Sequence, residues 1–168
     1  MANSSLSQSD IDTLVAKLNT KTYLASIGTS SYGPLANAPT IEPNVQLKDL
    51  TLYETGTKVV ARKIVQNNLI LTLRTRDVDA ALTLIAGLKE GDNPLASANA
   101  KSITLAPITD TATEKGFTFG NAYLMPDRCR TNLGENDEPT SVDLVFDCHP
   151  MVVSSSNTGV PFTYAVLS

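Results

Sequence analysis

Residues 50–88 read LTLYETGTKVVARKIVQNNLILTLRTRDVDAALTLIAGL, and the fold class turns on them. Over 69–76 the residues Leu69, Leu71 and Leu73 alternate with Ile70, Thr72 and Arg74, the two-residue period of a strand with one buried face. At Asp77 the period changes. Asp77 suits an N-cap, Asp79 falls in the first turn where the helix dipole favours an acid, and Val78, Ala81, Leu82 and Ile85 recur at helical spacing until Gly87 or Gly91 ends the run. Upstream, β-branched and apolar residues predict two further strands over 45–54 and 58–65. Between 58–65 and 69–76 a hairpin turn is expected at Gln66-Asn67-Asn68, because asparagine tolerates the left-handed backbone of tight turns.

Working toward the N-terminus, residues 22–27 are β-rich, and 28–43 holds three prolines and two glycines, the composition of a long loop. A loop of that length exceeds what a connector needs. Tyr32, Pro34 and Leu35 are its anchors, expected to be mobile in a monomer and ordered by a neighbouring subunit. Before it, Ser9 caps a predicted helix over about 9–19 whose stripe is Ile11, Leu14, Val15 and Leu18, with Asp12 at the capping-box position.

Toward the C-terminus a loop over 91–100 leads to a strand over 101–106 and a polar turn region over 107–115. Phe117, Phe119, Asn121, Tyr123 and Met125 then share one face of a predicted strand. After a polar excursion over 127–138, Val142, Leu144, Phe146 and Cys148 share a face opposite Asp143, Val145, Asp147 and His149, and 160–167 closes the chain as a last strand. The sum is a single domain over 1–168, mainly β as a β-sandwich or β-barrel, with two short helices.

Composition narrows the function. A net charge of -4 opposes any role that depends on gripping phosphates, and the absence of Trp disfavours a base- or sugar-stacking surface. The first residues have no positive n-region or apolar h-region, and no window nears the roughly 20 apolar residues of a membrane helix. Synthesis in the cytosol, without a membrane partner, is the expectation. The one histidine, His149, follows Cys148, and adjacent strand residues point to opposite faces, so they form no dyad by themselves. Asp143 and Asp147 lie about 13 Å apart on an extended chain, too far to share one metal ion. Cys129 and Cys148 have no metal-ligand spacing and read as reduced thiols. The acidic run 134–138 lacks the alternating ligands of a calcium loop, and GxxxxGK[ST], GxGxxG and GxSxG are all missing. No catalytic, cofactor-binding or metal-binding residue is assigned, and an enzyme is not expected.

Residues 50–88, and more loosely 117–150 with Pro161-Phe162-Thr163-Tyr164, resemble the tail tube (major tail) proteins of long-tailed bacteriophages. The shared pattern is a hairpin feeding a short helix, here 77–87, and a late alternating strand that ends in Cys148-His149-Pro150 before a final strand. The helix over 9–18 departs from that pattern. The resemblance implies a structural virion protein that assembles with copies of itself into stacked hexameric rings, alongside tape measure and terminator proteins. DNA would pass through the tube without being specifically bound. Asp49, Glu54, Asp143 and Asp147 are the acidic strand residues expected to line the channel, where carboxylates repel phosphates. The alternatives are another virion part, such as a tail terminator, tail completion or capsid decoration protein, and then a ligand-binding β-sandwich.

Overall fold

A computed structural model of the chain describes residues 22–33, 35–51, 59–108, 115–134, 139–153, 156–157 and 159–167. The predicted helix over 9–19, together with Pro34 and Glu54, lies outside them. The strands are β1 (Tyr23–Ile27), β2 (Ser30–Ser31), β3 (Thr40–Thr51), β4 (Val59–Thr75), β5 (Lys101–Pro107), β6 (Lys115–Leu124), β7 (Arg130–Asn132), β8 (Ser141–Cys148), β9 (Val152–Val153), β10 (Ser156–Asn157) and β11 (Thr163–Val166). Between β4 and β5 come the helix α1 (Val78–Ala86) and a 3-10 turn, Ser97–Asn99. The protein is therefore mainly β, and among the described residues it has one α-helix.

Nine strands form one antiparallel sheet in the order β2-β1-β5-β6-β8-β4-β3, with β11 on β6 and β7 on β8, while β9 and β10 form a separate pair. Along one edge β6 pairs first with β11, Thr118 opposite Thr163, and then with β8, Ala122 opposite Cys148. A strand that exchanges partners in this way sits at a corner, where the sheet folds over rather than continuing flat. The core lies inside the fold: Ala25 and Ile27 of β1, Leu71 and Leu73 of β4, Leu144 and Phe146 of β8, and Ala81 of α1 belong to one buried cluster.

Two expectations are corrected by the strand ladders. The segments 58–65 and 69–76 are not two strands with a turn at Gln66-Asn67-Asn68 but parts of one 17-residue strand, β4. Asn68 and Asn67 continue the ladder opposite Asn44 and Val45. Their side chains are held by distant partners instead of closing a turn: the Asn68 amide donates to Asp147 at 3.1 Å and the Asn67 amide to the Gly159 carbonyl at 2.7 Å. The second correction concerns β6. Lys101 pairs with Ala122 but Ile103 with Phe119, so β6 carries an extra residue and its alternation flips. Phe119 is inside as expected, but Ala122 and Leu124 join its buried cluster in place of Asn121 and Tyr123, and Tyr123 is buried outside that cluster. Strand β3 also starts at Thr40, which shortens the loop expected over 28–43.

Helix α1 starts where the sequence places it. The Asp77 carboxylate accepts from the Ala80 N–H at 3.2 Å. Ala81 is fully buried, with Val78, Leu84 and Ile85 packed beside it, whereas Leu82, assigned to the stripe, is exposed. The link to the sheet is Thr75, itself buried, whose hydroxyl donates to the Tyr32 carbonyl at 3.0 Å and accepts from the Asp77 N–H at 3.0 Å. One side chain thus fixes the end of β4, the segment after β2 and the start of α1.

Candidate assembly surface

Past Asn44 and Asn68, β3 and β4 leave the body as a two-stranded ribbon. From 45 to 51 and from 61 to 65 every residue is exposed. The sequence is nonetheless rich in apolar residues there, and Leu47, Ile64 and Val65 are 58%, 56% and 54% exposed. An isolated two-stranded ribbon is marginal in water, and a cluster of exposed large apolar side chains marks an interaction surface. Among the described residues β3 ends the sheet order, so a 12-residue strand presents one unpaired edge, which is a template for pairing with another chain.

The two faces of the ribbon differ in chemistry. Strand alternation on β3 puts Val45, Leu47 and Asp49 on the side of Ile41, which packs on the core; their β4 partners are Asn67, Ile64 and Arg62. Asp49 accepts from the Arg62 Nε at 2.9 Å on the same face. On the other face Lys48 lies directly opposite Lys63, a like-charge pair that costs stability in an isolated ribbon. Register shifts after Gln46 and Leu50 add residues to β4 and increase the local twist.

Asp143 and Asp147 sit on the outer face of β8, opposite the buried Val142, Leu144, Phe146 and Cys148, as the alternation requires. Neither is a bare carboxylate. Arg74 clasps Asp143 with its Nε at 2.6 Å and one terminal nitrogen at 3.0 Å, and Asn132 adds a third donor at 3.2 Å. The hydrogen bond from Arg74 outweighs partial burial and holds the Asp143 carboxyl below the ordinary range. Asp147 accepts from Asn68 and lies 2.9 Å from the His149 Nε2, while the His149 ring packs against Tyr123 at 4.9 Å. Asp49 is on the opposite face of the sheet from these two.

Tyr32 and Leu35 are tied to the chain's own core. The Tyr32 N–H donates to the Ala25 carbonyl at 2.8 Å, Leu35 forms a bridge to Thr75, and the Ala36 N–H donates to the Arg74 carbonyl at 2.8 Å. The Tyr32 side chain also forms part of the wall of a cavity of about 490 Å³ beside α1, shared with Leu84, Leu88 and Leu124, with Asp79 and Lys101 among its polar lining. This volume is within the range of small binding pockets.

Cys148 and His149 diverge as adjacent strand residues do. Burial pushes the Cys148 thiol up to about 12, with the Asp147 charge adding to the effect. Cys129 is half-buried, donates to the Met125 carbonyl at 3.3 Å, and is also raised, chiefly by burial. Among the described residues no group of three or more His, Cys, Asp or Glu is placed to hold a metal ion, and no helix is long and apolar enough to cross a membrane.

The exposed ribbon is the surface that sequence reading missed. A signal was present in VVARKIV, residues 59–65, where apolar residues are interspersed with charged ones without a single consistent apolar face.

Comparison with protein-family models and with curated proteins finds no match. Solved structures do match in fold. The chain is similar to the tube-terminating cap of the anti-feeding prophage, with a TM-score of 0.56 and 11% identity over 89% of this chain and 91% of that one. It is similar to the sheath/tube terminator of PVC, an extracellular contractile injection system in its extended state, with a TM-score of 0.54 and 14% identity over 77% of this chain and 91% of that one. A chain of the PVC sheath-tube complex gives a TM-score of 0.54 and 15% identity over 89% and 97%. The fold is thus one found in terminator caps and sheath-tube assemblies of phage-tail-like particles.

Proposed function

We propose that this protein is a structural subunit of a phage-tail-like tube, assembling with copies of itself into rings, six-fold by analogy with tail tubes, that stack around a channel. The observation that carries the reading is the ribbon of β3 and β4. It exposes Leu47, Ile64 and Val65 to water and, among the described residues, leaves a long strand edge unpaired, an arrangement that is costly in a monomer and useful in a polymer. The likeness in fold to parts of contractile injection systems supports it. With a net charge of -4, such a tube would repel DNA and let it slide. Asp143 and Asp147, which share one face of β8, remain the proposed channel lining, whereas Asp49 lies on the opposite face of the sheet; other tail proteins are the proposed partners.

A second reading is a terminator, a ring that ends the stack, and it is favoured by the terminator caps among the structures of similar fold. Negative-stain microscopy of the purified protein separates the two. Tubes that lengthen with concentration support the tube subunit, discrete rings that never stack support the terminator, and monomers at every concentration contradict both.

A further inference from the structure

We propose that the cavity beside α1 receives the ribbon of a second copy of this chain, apolar face inward. The inference rests on the subunit reading and names the contact through which one copy holds the next.

A ribbon cannot enter its own cavity. Ile64 lies 11 residues before Thr75 on one unbroken strand, roughly 36 Å by strand rise, while α1 begins just after Thr75. A ribbon docked there therefore comes from another molecule. The dimensions are comparable: the face from Val45 to Asp49 is about 13 Å long, and the helix from Asp79 to its end at Ala86 rises about 11 Å.

The chemistry agrees as well. The ribbon face presents Val45, Leu47 and Ile64 and ends in the ion pair of Asp49 with Arg62. The cavity presents Tyr32, Leu84, Leu88 and Leu124, with one acid, Asp79, and one base, Lys101. Docking sets Arg62 against Asp79 and Asp49 against Lys101, so that an acid and a base on one copy meet a base and an acid on the other. Lys48 and Lys63 stay on the outer face of the docked ribbon. Burial of the apolar side chains supplies the attraction and the charges fix the register.

The test is a charge exchange read by sedimentation. Asp79→Arg is expected to weaken self-association about tenfold or more, because it faces Arg62 with a like charge. Arg62→Asp should do the same, and the double variant should recover most of the lost association. In parallel, chains with Cys129→Ser plus Leu47→Cys are mixed with chains carrying Cys129→Ser plus Leu88→Cys, and a disulfide-linked heterodimer is expected under mild oxidation. If the wild type associates but the single variants associate equally well and no heterodimer forms, the cavity is not the receptacle while the subunit reading stands. If the wild type stays monomeric at all concentrations, both fail.

Discussion

Leu47 of β3 lies directly opposite Ile64 of β4, and both side chains are more than half exposed on a ribbon that no other described part of the chain covers. Aliphatic pairs across a strand ladder stabilise sheets when they are buried. Here the pair is positioned by the ladder and left in water. That makes it the natural place to separate folding from assembly. Leu47→Asp and Ile64→Asp are expected to change the unfolding free energy by no more than about 0.5 kcal/mol, since the sites are on the surface, and to abolish oligomers. Thermal unfolding and light scattering on the same samples check both halves.

Thr75→Val removes a hydroxyl that serves two backbone groups at once, the buried Tyr32 carbonyl and the part-buried Asp77 N–H. The shape is kept and the hydrogen bonds are lost. The expected cost is about 1–3 kcal/mol from the unsatisfied groups, measured by denaturant unfolding. Amide exchange should quicken at the start of α1 before it does so in β8.

The clasp of Arg74 on Asp143 gives stability a dependence on acid. The Asp143 carboxyl is held down in the folded state, so its contribution is complete above the unfolded value of about 3.9 and is lost as pH falls through the lower folded value. Melting temperature should therefore drop below about pH 4. Arg74→Met should flatten that part of the curve, and a curve of unchanged slope would show that other carboxylates carry the acid sensitivity.

Cys148 is fully buried and its thiol is pushed up to about 12, so almost none is thiolate at neutral pH. In the folded protein it should be silent to thiol reagents at pH 7.5. Cys129, half-buried, should react more slowly than a free thiol, and both should react at full speed in denaturant. Mass spectrometry of the labelled peptides distinguishes the two sites.

Much of the body was legible because its code is local. The alternation of Leu69, Leu71 and Leu73, and of Val142, Leu144 and Phe146, specifies buried strand faces, and Asp77 announces the helix by capping it. What failed was what depends on distant partners. Asn67 and Asn68 look like a turn until Gly159 and Asp147 take their amides. The bulge that turns Ala122 inward is set by pairing with β5, and no window of β6 alone contains it. The attachment of Tyr32 and Leu35 to the body was hidden in the same way, because the contacts that tie both to Thr75 join segments far apart in sequence. The ribbon was hidden for a related reason: apolar residues in a strand read as core, and only the topology shows that among the described residues nothing lies over Leu47 and Ile64.

The most direct measurement of the central claim is sedimentation velocity of the wild type and of Leu47→Asp over a wide range of concentration. The wild type should shift from a slow species to large, fast ones as concentration rises, while Leu47→Asp remains a folded monomer throughout. A wild type that stays monomeric at the highest concentration, or a variant that assembles as the wild type does, would contradict it.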